Sequence, residues 1–453
     1  MKYRQISALL LALALLLSGC SPAAGEGEPS PNESDPAVTD TAPAKIAPAE
    51  SEEPKETPEE PEELSPWMED WNLFWKTLEE NYPFEGVLYR TTGSSLKDLE
   101  LQYHNMAQQA ESAEDLLQVL QMVSDRFGYT GHMMVFNADT YAYRYGSVLL
   151  GAEDNAFSQY YAELLGSEQS RSVYHWSEEE EKTSTSGVSG SGSGRSAASD
   201  NLTFAYYPEQ SAAYVEVRSM LSGEGFDRDQ ELLLDFFQTI EAEGYENCII
   251  DIRRNGGGST MYSELLLLAP NLTEAIGKSH DALIKGGAET LDYYNARKLD
   301  SMFYVPELHP IEELDLNNLP ALEQEDLKGI TYYTSMHIGT SAGINYPDTP
   351  AFSGKFWLLV GPNVYSASEF FAVLCKDTGF ATLMGQTTGG DGIGIDPMVC
   401  VLPNSGIAYQ FSTMNGLNLD GSSSEEMGTE PDIVVPEDED ALEVCLRAIE
   451  EGR

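Results

Sequence analysis

Positive charge is scarce in this chain: 25 Lys and Arg stand against 75 Asp and Glu, a formal charge of −50. Nucleic acid is thereby excluded as a partner, because its binding depends on Lys and Arg neutralising phosphates, and anionic lipid headgroups would repel the chain as well. Cysteine is also rare. Apart from Cys20, the residues Cys248, Cys375, Cys400 and Cys445 are widely spaced in apolar sequence without a CxxC pair, so buried free thiols are expected rather than a disulfide framework. Six histidines, His104, His132, His175, His280, His309 and His337, are too scattered to suggest a metal site, and no cofactor is called for. No apolar run approaches the roughly 20 residues of a membrane-spanning helix, and no internal repeat is visible.

The apolar run that is present, residues 8–17, follows Lys2 and Arg4 and gives way to Ser18, Gly19 and Cys20, the pattern of a secretory signal over residues 1–20. Leu17-Ser18-Gly19-Cys20 resembles a bacterial lipobox, which implies lipidation of Cys20 and a chain anchored at the extracytoplasmic face of the cell membrane. Acyl chains rather than charge would then hold it to the lipid membrane. Residues 21–65 are Pro, Glu, Ala, Ser and Thr with almost no large apolar side chain, and so read as a disordered acidic tether.

Residues 66–134 change character. PWMEDWNLFWKTLEENYPF sets Trp67, Trp71, Leu73, Phe74 and Leu78 at helical spacing, and SAEDLLQVLQMVSDRFG opens on a Ser-x-x-Asp cap, so an N-terminal α-helical subdomain is predicted. Residues 135–201 end in an acidic run and then a Ser/Gly run and read as a flexible insertion. Over residues 202–453 strand and helix patterns alternate. Strands are expected at 211–217, 247–252 and 355–360 and helices at 226–242, 259–268 and 367–374, with 381–384, 398–402 and 407–411 completing a sheet. The fold class is α/β, with parallel pairing and helices on the faces.

Four places could carry chemistry. At Tyr365-Ser366-Ala367-Ser368-Glu369 a buried strand gives way to a helix at a serine, where free N–H groups would favour an attacking alkoxide and the oxyanion it generates. Most serines at a helix start are nevertheless simple caps. Asn255-Gly256-Gly257-Gly258 ends a strand in three glycines, which lets a backbone N–H approach a ligand closely, or merely makes a tight turn; it lacks the GxGxxG and GxxxxGK spacings of nucleotide sites. Gly131-His132 follows the second helix, and a lone histidine is more often structural than chemical. The polar loop GSSSEEMGTEPD carries the adjacent glutamates Glu425 and Glu426.

In chain order, WKTLEENYPF, Gly131-His132, IIDIRRNGGG, WLLVGPNVYSASEFFAVLCKDTGFATLMGQTTGG and GTEPDIVV resemble the C-terminal-processing (tail-specific) serine peptidases and their tricorn-core relatives. The resemblance implies a ClpP/crotonase-like core, a polypeptide substrate and Ser366 as nucleophile, with the N–H groups of Ala367 and Gly257 forming the oxyanion hole. One branch of the family uses a lysine twenty-five residues after the serine. That position here is Asp391, which cannot replace a neutral amine, so the histidine-using branch fits better. It implies His132 as general base, oriented by Glu425 with Glu426 as the alternative. Met133 stands where a threonine usually follows this histidine, and Gly131 where a tricorn-type serine precedes it. Residues 135–201 leave too little room for the PDZ module that many members carry. The reading is a membrane-anchored serine endopeptidase of unfolded or extended polypeptides. The alternatives are an inactive peptide-binding or scaffolding lipoprotein in which Ser366 is a helix cap, and an anchored solute-binding protein, which would leave SASE and the triple glycine unexplained.

Overall fold

A computed structural model describes residues 64–152, 155–177, 201–301, 303–341 and 350–452. The signal, the lipobox cysteine, nearly all of the tether and the Ser/Gly run therefore lie outside the described residues. Among those described, no helix is long and apolar enough to cross a membrane.

The centre is a six-stranded sheet in the order Ile433–Val434, Ala381–Gly385, Lys355–Val360, Asn247–Asp251, Ala212–Val217 and Leu202–Tyr207, parallel except for the last pair. Its strands are apolar on both faces, as a sheet covered by helices on each side requires. The register sets Val215, Ile250, Leu358 and Leu383 in one row, and they pack under the helices Gly223–Ala242 and Ala367–Thr378. Ile249, Trp357 and Met384 face the other way, against Cys445 of the helix Ala441–Glu450. Cys248, Cys375, Cys400 and Cys445 are all free thiols.

Two smaller antiparallel sheets flank this core. Ile276–Ile284 and Tyr332–Thr340 form the main pair of one; the sequence pattern did not suggest them as strands. The other unites Met134–Val135, Ala408–Phe411 and Met398–Val401. Residues 398–402 and 407–411 were expected to extend the central sheet; they do not, because Ala408–Phe411 pairs on its far edge with the segment that follows His132. Trp71, Phe74 and Leu120 from the N-terminal helices join Tyr409 and Phe411 of this sheet in one apolar cluster, so helical subdomain and α/β region share a core.

Residues 135–201 also need correction. Their first part is not a flexible insertion but the three helices Ala138–Gly151, Ala156–Leu165 and Glu168–Val173, capped by Asn137, Asn155 and Ser167. Tyr141, Phe157 and Tyr161 bury their rings in the N-terminal cluster. The low-complexity run at the far end concealed an aromatic periodicity at the near end. Likewise the helix expected at 259–268 is a single α-turn, Thr260–Tyr262, followed by the π-turn Ser263–Leu268.

Candidate active site

Ser366 is the N-cap of the helix Ala367–Thr378, yet its side chain makes no capping hydrogen bond. The backbone there is left-handed, φ 57° and ψ −125°, a conformation costly for a residue with a Cβ. A strained strand-to-helix turn of this kind holds a serine hydroxyl clear of the backbone. Ser366 lines a cavity of about 430 Å³ together with His132, Asp391, Gly258 and Ala367.

His132 reaches the cavity from the N-terminal region on a turn fixed from several sides. Tyr82 donates its hydroxyl to the Thr130 carbonyl at 2.8 Å, and the Ser412 N–H donates to the Gly131 carbonyl at 2.7 Å. A Cβ on Gly131 would stand 2.5 Å from the Phe84 ring, so only glycine fits beneath the histidine. The imidazole packs on Tyr365, with ring centroids 4.8 Å apart, and on Tyr129 at 5.4 Å.

The partner of this imidazole is Asp391. Its Oδ2 lies 2.5 Å from His132 Nδ1, and Ser412 Oγ donates to the same oxygen at 2.9 Å. Both members of the pair are buried, His132 at 6% and Asp391 at 7% exposure. An Nδ1–H held this way leaves Nε2 as the basic nitrogen, the tautomer that a base acting on a serine requires. His132 and Ser366 do not hydrogen-bond to each other in this structure, but share the cavity. Catalytic hydrogen bonds in unliganded enzymes are often long and tighten with substrate.

Glu425, expected to orient the histidine, makes no hydrogen bond to the imidazole, whose partners are Asp391 and Ser412. Its Oε2 accepts the Tyr365 hydroxyl at 2.8 Å. Desolvation, and next the neighbouring Asp391 carboxyl, push the Glu425 acid well above its ordinary range. Glu426 turns away altogether and forms a forked ion pair with Arg90, Oε2 to Nη2 at 2.6 Å. The displacement has a steric cause. The chain at 389–392 runs between the glutamate helix Ser424–Met427 and the nucleophile helix, and its glycines permit the approach. A Cβ on Gly390 would lie 2.4 Å from the Ser424 carbonyl and one on Gly392 2.5 Å from the Phe370 nitrogen. Ser366 N–H donates to the Gly390 carbonyl at 3.1 Å, so this loop places Asp391 and the serine in one register. Sequence reasoning considered Asp391 only as a failed lysine; the Gly-Gly-Asp-Gly wording of residues 389–392, an acid on a turn stripped of neighbouring side chains, was the available signal.

The oxyanion donors need one correction as well. Gly257 N–H is occupied by Asn255 Oδ1 at 3.0 Å. Gly258, next in the chain, lines the cavity at φ 131°, and neither its N–H nor that of Ala367 has an acceptor among the described residues. Asn255, fully buried, also takes the Ser368 hydroxyl at 2.6 Å and donates to the Val217 carbonyl at 3.1 Å, tying the glycine turn to the nucleophile helix.

Six non-glycine residues among those described have left-handed φ: Ser366, His132, Asp391, Tyr129, His175 and Ser211. Four of the six are in this one cavity or in ring contact with it, and strain concentrated in this way marks functional sites. Residues 211–435, which hold both the glycine turn and the serine, match peptidase family S41. The chain carries a peptidase family S41 domain. The family is one of serine peptidases, and the S41 domain makes this chain a hydrolase of peptide bonds. Among solved structures, a putative peptidase from Parabacteroides merdae is similar with a TM-score of 0.50 at 18% identity, over 85% of this chain and 97% of that one. Mature CPAF complexed with lactacystin gives 0.48 at 14%, over 85% and 96%. A lipoprotein from Streptococcus agalactiae gives 0.44 at 12%, over 85% and 97%. The first of these likenesses shows a shared α/β fold. No curated protein matches the S41 chain by sequence.

Proposed function

We propose that this S41 protein is a lipid-anchored, extracytoplasmic serine endopeptidase that cleaves unfolded or extended polypeptides through an acyl-enzyme on Ser366. The observation that carries the reading is the serine on a strained turn, without a capping bond, sharing a cavity with a buried His132–Asp391 pair. His132 Nε2 takes the Ser366 proton as Oγ attacks the scissile carbonyl, and returns it to the leaving amine. Asp391 fixes the imidazole and stabilises its cation. The N–H groups of Ala367 and Gly258 receive the negative charge of the tetrahedral intermediate. Water then repeats the sequence and releases the acyl group. A polypeptide substrate is the one that the S41 domain implies.

Casein hydrolysis by the full chain in detergent tests the chemistry, beside Ser366→Ala, His132→Ala and Asp391→Asn. Loss in all three is the expected result; hydrolysis that survives Ser366→Ala overturns the mechanism, and an unmutated chain inert on a broad panel of unfolded proteins points to a peptide-binding lipoprotein instead. Anchoring rests on the lipobox wording at Cys20. Cys20→Ala should release the protein from the membrane fraction and abolish labelling by a radioactive fatty acid.

A further inference from the structure

Glu264 stands in the wall of the same cavity, and the reaction just described gives it no task. It belongs to the π-turn Ser263–Leu268, which grows directly out of the glycine turn through Thr260–Tyr262. Wide turns of this type recur at functional sites because they re-aim side chains that an α-helix would bury or expose. Here Tyr262, Leu266, Leu267 and Leu268 go into the core, while Met261 and Glu264 remain half-buried at the cavity.

The cationic side chains of the cavity are engaged elsewhere. Arg297 pairs with Asp396. Arg144 donates to Gln410 Oε1 at 3.1 Å. His132 is taken by Asp391, and His337 enters the wall from the strand Tyr332–Thr340 without an ion pair to Glu264. Among the described residues no Lys, Arg or His forms a salt bridge with the Glu264 carboxyl, whose one polar support is Thr260. Desolvation lifts this acid to about 7, so a cation brought beside it would hold it ionised. Met261, Phe370 and Met336 supply apolar wall nearby, suited to the methylene stem of a long basic side chain.

We propose that Glu264 makes this peptidase selective for substrates carrying lysine or arginine beside the scissile bond, its carboxylate pairing with the substrate cation. The inference rests on Ser366 being the nucleophile. It assigns Glu264 a contact with substrate but no part in bond making or breaking.

The test compares kcat/KM of the full chain on matched peptides that differ at one position next to the scissile bond: lysine, arginine, its uncharged isostere citrulline, and norleucine. The unmutated protein should favour lysine over norleucine and arginine over citrulline by roughly 10- to 100-fold, the worth of one charge-assisted contact. Glu264→Gln, isosteric and uncharged, should collapse both ratios toward one while leaving norleucine cleavage within about twofold, which also shows that the variant is folded. Glu264→Lys should disfavour the basic peptides further, and His337→Gln should leave the ratios in place. Equal cleavage of charged and uncharged peptides by the unmutated protein, at every position scanned, overturns the proposal, as does a Glu264→Gln variant that loses activity on all peptides alike. Failure of the underlying mechanism looks different: cleavage then persists in Ser366→Ala or is absent from every peptide, and the selectivity assigned to Glu264 falls with it.

Discussion

Asp391 Oδ2 and His132 Nδ1 lie 2.5 Å apart although 259 residues separate them in the chain. Both ends of this contact are in left-handed backbone, and each is clamped by its own neighbours: His132 by the Ser412 main chain under Gly131, Asp391 by the Ser412 hydroxyl and the glycine loop. Ser412 thus holds both partners, through two different groups. The pair is already in hydrogen-bonding contact without substrate, as an orienting contact must be if it is to preserve a tautomer through the reaction.

Replacing Asp391 by asparagine keeps the volume but offers the imidazole an amide that can hold the wrong tautomer. Activity on casein should fall by roughly 10³- to 10⁴-fold in kcat with little change in KM. Glu425→Gln, which preserves an acceptor for the Tyr365 hydroxyl, should cost less than about tenfold. Equal losses in the two variants would return the orienting role to Glu425.

Asn255→Ala removes one side chain that satisfies Gly257 N–H, the Ser368 hydroxyl and the Val217 carbonyl together. Leaving buried polar groups unpaired should destabilise the protein by about 1–3 kcal/mol. It should also lower kcat, because Gly258 is held through this turn. Urea denaturation and steady-state kinetics measure the two effects separately.

Tyr82→Phe takes away only the hydroxyl that holds the Thr130 carbonyl, two residues before His132. The ring packing against Phe84, Phe127 and Phe411 stays. A stability loss of about 1 kcal/mol is expected, with a larger proportional fall in kcat than in thermal stability. A fall in stability alone would show that the histidine turn does not need this tether.

Glu369 is fully buried in the first turn of the nucleophile helix, its Oε1 accepting the Thr429 hydroxyl at 2.6 Å. Burial above all raises its acid from 4.5 to about 7. The native chain therefore keeps a proton here that the unfolded chain releases. The associated stability is present below pH 4.5 and is lost as pH rises to about 7, a change of about 3 kcal/mol at full ionisation. Glu369→Gln should lack this one contribution, so the gap in urea midpoint between variant and unmutated protein should widen in the variant's favour from about pH 5 to about pH 8. A gap independent of pH would rule the proton out.

Much of the fold could be read from periodicity and composition. Residues 247–252 and 355–360 are apolar throughout because both faces of their strands are covered, and the helices beginning at Pro66 and Ala113 show their cap and apolar stripe openly. The aromatic helices in 138–173 were hidden by the low-complexity run after them, and the strand Ile276–Ile284 by the polar run Lys278-Ser279-His280-Asp281 in its middle; the alternation of Tyr332–Thr340 was a legible strand signal that went unused.

The chemistry divides along the same line. Local sequence determined where a serine would meet a helix start, where three glycines would end a strand and where a histidine would follow a helix, because each of these depends only on neighbours along the chain. Which carboxyl would face His132 depended on the packing of the 389–392 loop between two helices, where a Cβ at Gly390 or Gly392 would meet backbone atoms at 2.4 or 2.5 Å. Which glycine N–H would be free depended on where the Asn255 side chain turned. Sequence spacing names candidates at such positions, but only close packing in three dimensions excludes one and admits the other, since two carboxyls or two amides of nearly equal local pattern differ only in what else touches them.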